Sequence, residues 1–304
     1  LCRGKRYDLV HAHDWLVAYA GRGLKHSFQI PLVASVHATE FGRNNGLHND
    51  EQRYIGEVEW LLTYEAWRVI CNSRYMREEI EGVFNLPPDK ISIIPNGIRP
   101  EAFQVAAPDP AMRQRFAGPG EKILFFIGRL VREKGVQVLL GALPQIRERF
   151  PDVRVIIAGQ GPYGEELHRL SVHLGLDRQV TFAGYIDEET RNQLYAQADL
   201  AIFPSLYEPF GLVALEAMAA GTPVVVGDSG GFAETVEHGV NGVRVPAENS
   251  SALAEQVCTL LGDPELGRRL ARRALQDVSD NYSWASIARR YEEIYQQIVF
   301  SPEA

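Results

Sequence analysis

Short apolar runs, each ending in a glycine, a proline or a polar turn, alternate along the chain with longer stretches whose apolar residues recur every three to four positions. That alternation predicts βα units on a mostly parallel sheet. In the first part, Asp8–His11, Leu32–Val36, Val69–Cys71 and Ile91–Ile94 read as strands, with helices over Trp15–His26, Asp50–Trp67 and Tyr75–Phe84. Periodicity fails over Arg99–Gly120, where Pro100, Pro108, Pro110, Gly118, Pro119 and Gly120 cluster, and this stretch reads as an interdomain linker. A second series then runs through Lys122–Ile127, Val153–Ala158, Val180–Phe182, Leu200–Phe203, Val224–Val226 and Gly242–Val245, each followed by a helical segment. These strands are enough for a complete doubly wound domain. The expected division is a shorter domain over 1–107, a complete one over 108–281 and a terminal helix over 282–304, where apolar residues again fall at helical spacing.

Composition narrows the class. A chain of 304 residues, 45% apolar and 23% charged, is expected to be soluble and globular and is large enough for two domains. Its net charge of -8 argues against a nucleic-acid partner held by bulk electrostatics, and the local Arg268-Arg-Leu-Ala-Arg-Arg reads as a solvated helix face. Cys2, Cys71 and Cys258 are too far apart for a metal spacing, which points to a reduced, cytoplasmic setting with Cys71 as a core thiol. No run reaches the roughly 18 apolar residues needed to cross a bilayer, and the first residues have no apolar core like that of a signal peptide. Peripheral membrane attachment stays open. The chain begins without Met and enters a strand almost at once, so it is expected to start inside a longer protein.

The candidate chemistry lies at strand ends. Glu208 follows the apolar strand Leu200-Ala-Ile-Phe-Pro, and Glu216 lies in the Ala-rich helix entered at Gly211 and closed by Gly221. This spacing allows two carboxylates to grip two parts of one polyhydroxylated ligand, with backbone N–H groups between them facing the same ligand. Gly128-Arg129-Leu-Val-Arg-Glu-Lys134-Gly135 directly follows the first strand of the second series. It puts a bidentate cation and a point cation at another strand-to-helix turn, with Arg132 the weaker candidate. His37 closes an N-terminal strand, where a lone histidine serves either a site or a hydrogen-bonded core. His13 and Asp14 read equally as a polar site cluster and as a helix N-cap by Asp14. Gly159-Gln-Gly161 reads as a turn, and Ser229-Gly230-Gly231 either as a plain loop or as amides offered to a ligand.

Taken in order, His11-Ala-His-Asp-Trp-Leu, Val36-His-Ala-Thr-Glu-Phe-Gly-Arg, Pro95-Asn-Gly-Ile, the Gly128–Gly135 segment, Glu208-x7-Glu216 with Ala-Met-Ala-Ala-Gly-Thr-Pro-Val, and Tyr282-Ser-Trp cover nearly the whole chain. The series resembles retaining glycosyltransferases of the glycogen synthase and sucrose synthase type, which are family 4-like. The resemblance implies the α/β GT-B fold, two Rossmann-like doubly wound domains facing a cleft, here with the first one truncated. It also implies an acceptor side in the N-terminal part, a nucleotide-sugar site in 108–281 and a last helix that crosses back to brace the N-terminal domain.

By the same resemblance His37, Arg129, Lys134 and Glu208 are the catalytic candidates. Gly128, Arg129, Lys134, Tyr185, Ile186, Glu208, Phe210, Gly211, Leu212 and Glu216 bind the donor, and His13 and Asp14 lie on the acceptor side. Arg129 and Lys134 become phosphate clamps, Tyr185-Ile186 packs the base, Glu208 holds sugar hydroxyls and Glu216 the ribose. The expected loop has no Asp-x-Asp motif, so no metal ligand and no required cofactor is expected. The implied activity is retaining transfer of a hexose, first glucose from ADP-glucose or UDP-glucose to an α-1,4-glucan. Mannosyl or glucosyl transfer to a lipid or cell-wall acceptor, nucleotide-sugar binding without turnover, and epimerisation are the alternatives.

Overall fold

The structure, a computed structural model, describes residues 6–300, so Cys2 lies outside the described residues. It divides into two compact units, one made of the chain up to Gly97 together with the segment from Trp284 on, the other of Ile98–Ser283.

The first unit carries β1 (Val10–His13), α1 (Ala18–Phe28), β2 (Leu32–Val36), α2 (Glu40–Asn44), α3 (Asp50–Glu65), β3 (Arg68–Cys71), α4 (Arg74–Phe84) and β4 (Ile91–Ile93). Its sheet has the order β1-β2-β3-β4, every pair parallel. Successive side chains on a strand point to opposite faces, and here each face has its own cover. Leu32, Ala34, Val36, Val69 and Cys71 join the cluster containing Val58, Leu62, Met76 and Ile80 of α3 and α4. Val33 and Ile70 meet Ile287 and Ile298 of the last helix on the other face. The expected strand Asp8–His11 lies two residues further on, and a short helix, α2, occupies a stretch that had no sequence pattern.

The second unit carries α5 (Pro110–Gln114), β5 (Lys122–Ile127), α6 (Val136–Arg149), β6 (Val153–Ala158), α7 (Gly164–His173), β7 (Val180–Gly184) and α8 (Glu188–Gln197). It continues with β8 (Leu200–Phe203), α9 (Leu212–Ala219), β9 (Val224–Gly227), α10 (Phe232–Thr235), β10 (Val243–Val245), α11 (Ser250–Gly262) and α12 (Pro264–Asn281). The chain then returns to the first unit as α13 (Trp284–Val299). The sheet order is β10-β9-β8-β5-β6-β7, all parallel. Its inner strands β5, β6, β8 and β9 are buried on both faces, as the near-continuous Val/Ile/Phe runs require, while the edge strand β7 is only half-buried.

The division falls at Gly97/Ile98 and Ser283/Trp284 rather than at 107/108 and 281/282. Arg99–Gly120, read as a linker, is packed into the second unit. Pro100 and Pro110 each occupy the first positions of a short helix, where the missing N–H is not needed. Phe103 is buried edge-on against Tyr195, and Arg113 donates to the carbonyls of Gln197 and Glu121. Two of the prolines that look like breakers in the sequence, Pro100 and Pro110, are helix starts. Among the described residues no helix is long and apolar enough to cross a membrane, and Cys71 and Cys258 are buried thiols.

Candidate functional site

In the second unit the strand order reverses between β5 and β8, and in an open parallel sheet the crevice at such a point opens at the carboxyl ends of the two strands. The segments leaving those ends are Gly128–Gly135 and Pro204–Gly211. They are stitched together: the Leu206 N–H donates to the Glu133 carbonyl at 2.7 Å. Gly135 sits at φ +71°, and a Cβ there would lie 1.8 Å from the Pro204 carbonyl oxygen, so the crossing of the two loops requires glycine.

This contact brings Lys134 to Glu208. The Lys134 Nζ donates to Glu208 Oε2 at 2.8 Å, and the Ser205 hydroxyl donates to the same oxygen at 3.2 Å. Glu208 is only 7% exposed, so its charge depends on that cation and hydroxyl. Arg129, on the same loop, is 67% exposed, with its Nη2 3.6 Å from Glu133 Oε1. Arg129 is thus a mostly exposed cation, loosely paired with Glu133. The sequence allows Ser229-Gly230-Gly231 as amides on offer, but the Gly231 N–H already donates to the Glu208 carbonyl and Ser229 Oγ to the Ser205 carbonyl.

Phe210 is buried, Gly211 enters α9 at φ +95°, where a Cβ would meet the Phe232 ring at 2.3 Å, and Leu212 is the exposed first residue of α9. The first N–H groups of such a helix have no intrahelical acceptor and face the crevice end. Glu216, lower on α9, accepts from the Tyr195 hydroxyl at 3.1 Å through Oε2. Burial raises its pKa above the ordinary carboxylate value, against the pull of Arg191 and the Tyr195 bond. The sequence reading missed Tyr195, because a fully buried tyrosine in α8 carries no spacing signal. Gly128 follows β5, while Tyr185 and Ile186 follow β7, two strands from β5 and thus about 10 Å along the sheet. Tyr185 is exposed and Ile186 packs on the core, so neither joins the Lys134–Glu208 contact.

In the first unit the carboxyl ends of β1, β2 and β3 gather His11, His13, Asp14, His37 and Asn72. His13 Nδ1 lies 3.1 Å from His37 Nε2, with the two rings stacked at 5.4 Å, so one ring nitrogen donates to the other. His11 bonds Tyr295 at 2.6 Å and Ser35 at 2.9 Å. Burial, then the charges of His13 and His37, lower its pKa to about 4. Asp14 is no side-chain N-cap. It precedes a 3-10 turn at φ 57° and ψ 175°, makes no capping bond, and instead accepts the His37 N–H at 2.8 Å. That backbone region is costly for a non-glycine residue. The capping reading fails because the carboxylate reaches across to β2.

Glu59, on α3, is a second residue that sequence reading missed. It is 3% exposed, and burial pushes its pKa up to about 7 from 4.5. The folded chain therefore binds the Glu59 proton more tightly than the unfolded one, and the stability tied to it is present below pH 4.5 and lost as pH rises through 7. Urea unfolding should show Glu59→Gln gaining about 3 kcal/mol relative to wild type between pH 4.5 and pH 8. A constant difference over that window would mean that Glu59 is not a buried carboxyl of raised pKa. Among the described residues no group of three or more His, Cys, Asp or Glu is placed to hold a metal ion.

Residues 109–277 match the family Glycosyl transferases group 1, and residues 1–102 match Glycosyltransferase Family 4. An uncharacterized glycosyltransferase of Methanocaldococcus jannaschii is 40% identical over 96% of this chain and 75% of its own length. A glycogen synthase of Mycobacterium tuberculosis is 37% identical over 96% of this chain and 69% of its own. Among solved structures, Anabaena HepE in complex with UDP and glucose superimposes with a TM-score of 0.84 at 27% identity, over 96% of this chain and 78% of that one. With both halves matched and the site at the reversal of its larger sheet, the chain belongs to the group 1 and family 4 glycosyltransferases and is a transferase of the GT-B fold.

Proposed function

We propose that this chain is a retaining hexosyltransferase that moves glucose from UDP-glucose or ADP-glucose onto an α-1,4-glucan. The observation that carries the reading is the Lys134–Glu208 contact at the strand-order reversal, a cation and a carboxylate held together where a ligand enters. The likeness to HepE, solved with UDP and glucose and also with UDP-glucose, supports the donor. The likeness to a glycogen synthase supports the acceptor.

In this reading Arg129 and Lys134 bind the diphosphate, whose leaving oxygen gains charge as its bond to the anomeric carbon breaks. The acceptor hydroxyl forms the new bond on the face the diphosphate leaves and gives its proton to a phosphate oxygen, so configuration is retained. Glu208 hydrogen-bonds sugar hydroxyls. Glu216, one oxygen fixed by Tyr195, holds the ribose with the other. The turn at Gly128, the backbone of Phe210, Gly211 and Leu212, and the segment Tyr185-Ile186 complete the donor site. His37 contacts the donor sugar, and His13 and Asp14 lie on the acceptor side. With two cations on one loop, no divalent ion or other cofactor is required.

The test incubates the chain with radiolabelled UDP-glucose or ADP-glucose and a maltooligosaccharide, with EDTA present, and follows label in lengthened glucan. Transfer from one donor is expected. Glu216→Ala should weaken binding of the free nucleoside diphosphate about 10- to 100-fold, the loss of a bond to a charged group. Label that stays in a nucleotide sugar of altered configuration would replace transfer by epimerisation. Binding without product would leave a nucleotide-sugar-binding protein.

A further inference from the structure

Four side chains from four different elements hold the short segment that follows β2. Asp14 accepts the His37 N–H at 2.8 Å, and Asn72 Nδ2 donates to the His37 carbonyl at 3.2 Å. Thr39 Oγ1 donates to the Glu79 carboxylate at 2.5 Å, and the Glu40 N–H meets both Glu59 oxygens at 3.0 and 3.1 Å. Segments leaving a strand are ordinarily held loosely by solvent; this one is fixed at the His37 N–H and carbonyl, the Thr39 hydroxyl and the Glu40 N–H. Two of its holders are energetically unfavourable where they stand. Glu59 is a nearly buried carboxylate with no cation at hydrogen-bond distance among the described residues; it is faced by Arg43 and Glu40 of α2 and by Asp14 at the end of β1. Asn72 is 4% exposed, and among the described residues its buried Oδ1 has no partner while its Nδ2 donates to the His37 carbonyl. Neither is a choice that stability favours.

We propose that Glu59 and Asn72 are positioning residues of the transferase reaction, holding the His37–Glu40 backbone so that the His37 imidazole is fixed before substrate arrives. The proposal rests on the reading of His37 as a sugar-contacting residue. A displacement of about 1 Å at such a group lowers rate about 10²-fold. Both residues act through the peptide of His37–Glu40 and touch no reacting atom. They lie under the loop rather than in it, on α3 and at the end of β3, which is why no motif marks them.

Asn72→Ala, Glu59→Leu and Glu59→Gln test this by steady-state kinetics, thermal melting and amide hydrogen exchange of peptides covering 33–42. Asn72→Ala and Glu59→Leu should melt no lower than the wild type, lose about 30- to 100-fold in kcat, and change KM for the donor less than about threefold. Glu59→Gln, which keeps an oxygen facing the Glu40 N–H, should restore kcat to within about threefold of wild type. Exchange at Glu40 should quicken about tenfold or more in Glu59→Leu while the β2 amides stay protected. Folded variants with wild-type kcat would overturn the proposal, as would unchanged exchange at Glu40. If the wild-type chain transfers sugar from no donor, the functional reading fails on its own, and the exchange data still decide whether the segment is clamped.

Discussion

Lys134→Ala should lower kcat/KM for glycosyl transfer by about 10³-fold, the scale for removing one preorganised charge from a developing oxyanion. Lys134 has two roles in one position. In the free chain its ammonium neutralises Glu208 at 2.8 Å, and in the proposed reaction it faces the leaving phosphate. Removing it leaves a carboxylate that is 7% exposed with only the Ser205 hydroxyl for support. The variant should therefore also melt lower, because a buried charge without its partner is strongly destabilising. Glu208→Gln separates the two roles: it keeps the shape and removes the orphaned charge, so Lys134→Ala/Glu208→Gln should recover the melting temperature and not the rate. Initial-rate kinetics with the preferred donor, beside melting curves, read both. A Lys134→Ala enzyme within about threefold of wild type would remove Lys134 from the transition state.

Gly135→Ala should destabilise the larger unit by about 3 to 5 kcal/mol, the sum of a side chain forced into the left-handed region and an overpacked contact. The contact is with backbone. At φ +71° the new Cβ would lie 1.8 Å from the Pro204 carbonyl oxygen and 2.6 Å from its carbon, and neither can rotate away as a side chain would. The two loops must part, which breaks the Leu206 to Glu133 hydrogen bond and separates Lys134 from Glu208. Melting of the larger unit should fall by roughly 6 to 20 °C at its size. Nucleoside diphosphate binding should weaken with it. Gly175→Ala is the control, since Gly175 has φ +64° and open space around its Cβ position, leaving only the cost of the backbone region, about 1 kcal/mol. Equal losses in the two variants would mean that crowding at the loop crossing contributes nothing.

The βα segments that carry Lys134 and Glu208 are legible in the sequence, because apolar strand, glycine and charged turn repeat at βα spacing. The way side chains meet across elements is not. Asp14 has the sequence of a helix cap, yet its carboxylate serves the His37 amide. Tyr195 looks like one more core aromatic and instead orients Glu216. Glu59 sits in a helix of mixed polarity whose pattern gives no sign that this glutamate is buried. The prolines of the supposed linker mislead for a related reason: a proline ends one helix or begins another according to the packing of its neighbours, and at Pro100 and Pro110 the packing of Phe103 and Arg113 decides. Periodicity reports the core. It does not report polar partners that are far apart in sequence.

The return of α13 to the first unit has a consequence for how the protein is made. Synthesis runs from the N-terminus, and domains generally fold as units once their residues have emerged. The second unit is continuous from Ile98 to Ser283 and is complete as soon as that stretch is out. The first, begun earlier, still lacks one cover of its sheet: Val33 and Ile70 wait for Ile287 and Ile298, and His11 for Tyr295. Of the two units the one encoded earlier is thus finished later, and Val33 and Ile70 stay without the cover of the last helix while the larger unit is being translated. A ribosome that stops just before Trp284 would release a folded second unit joined to an aggregation-prone first one.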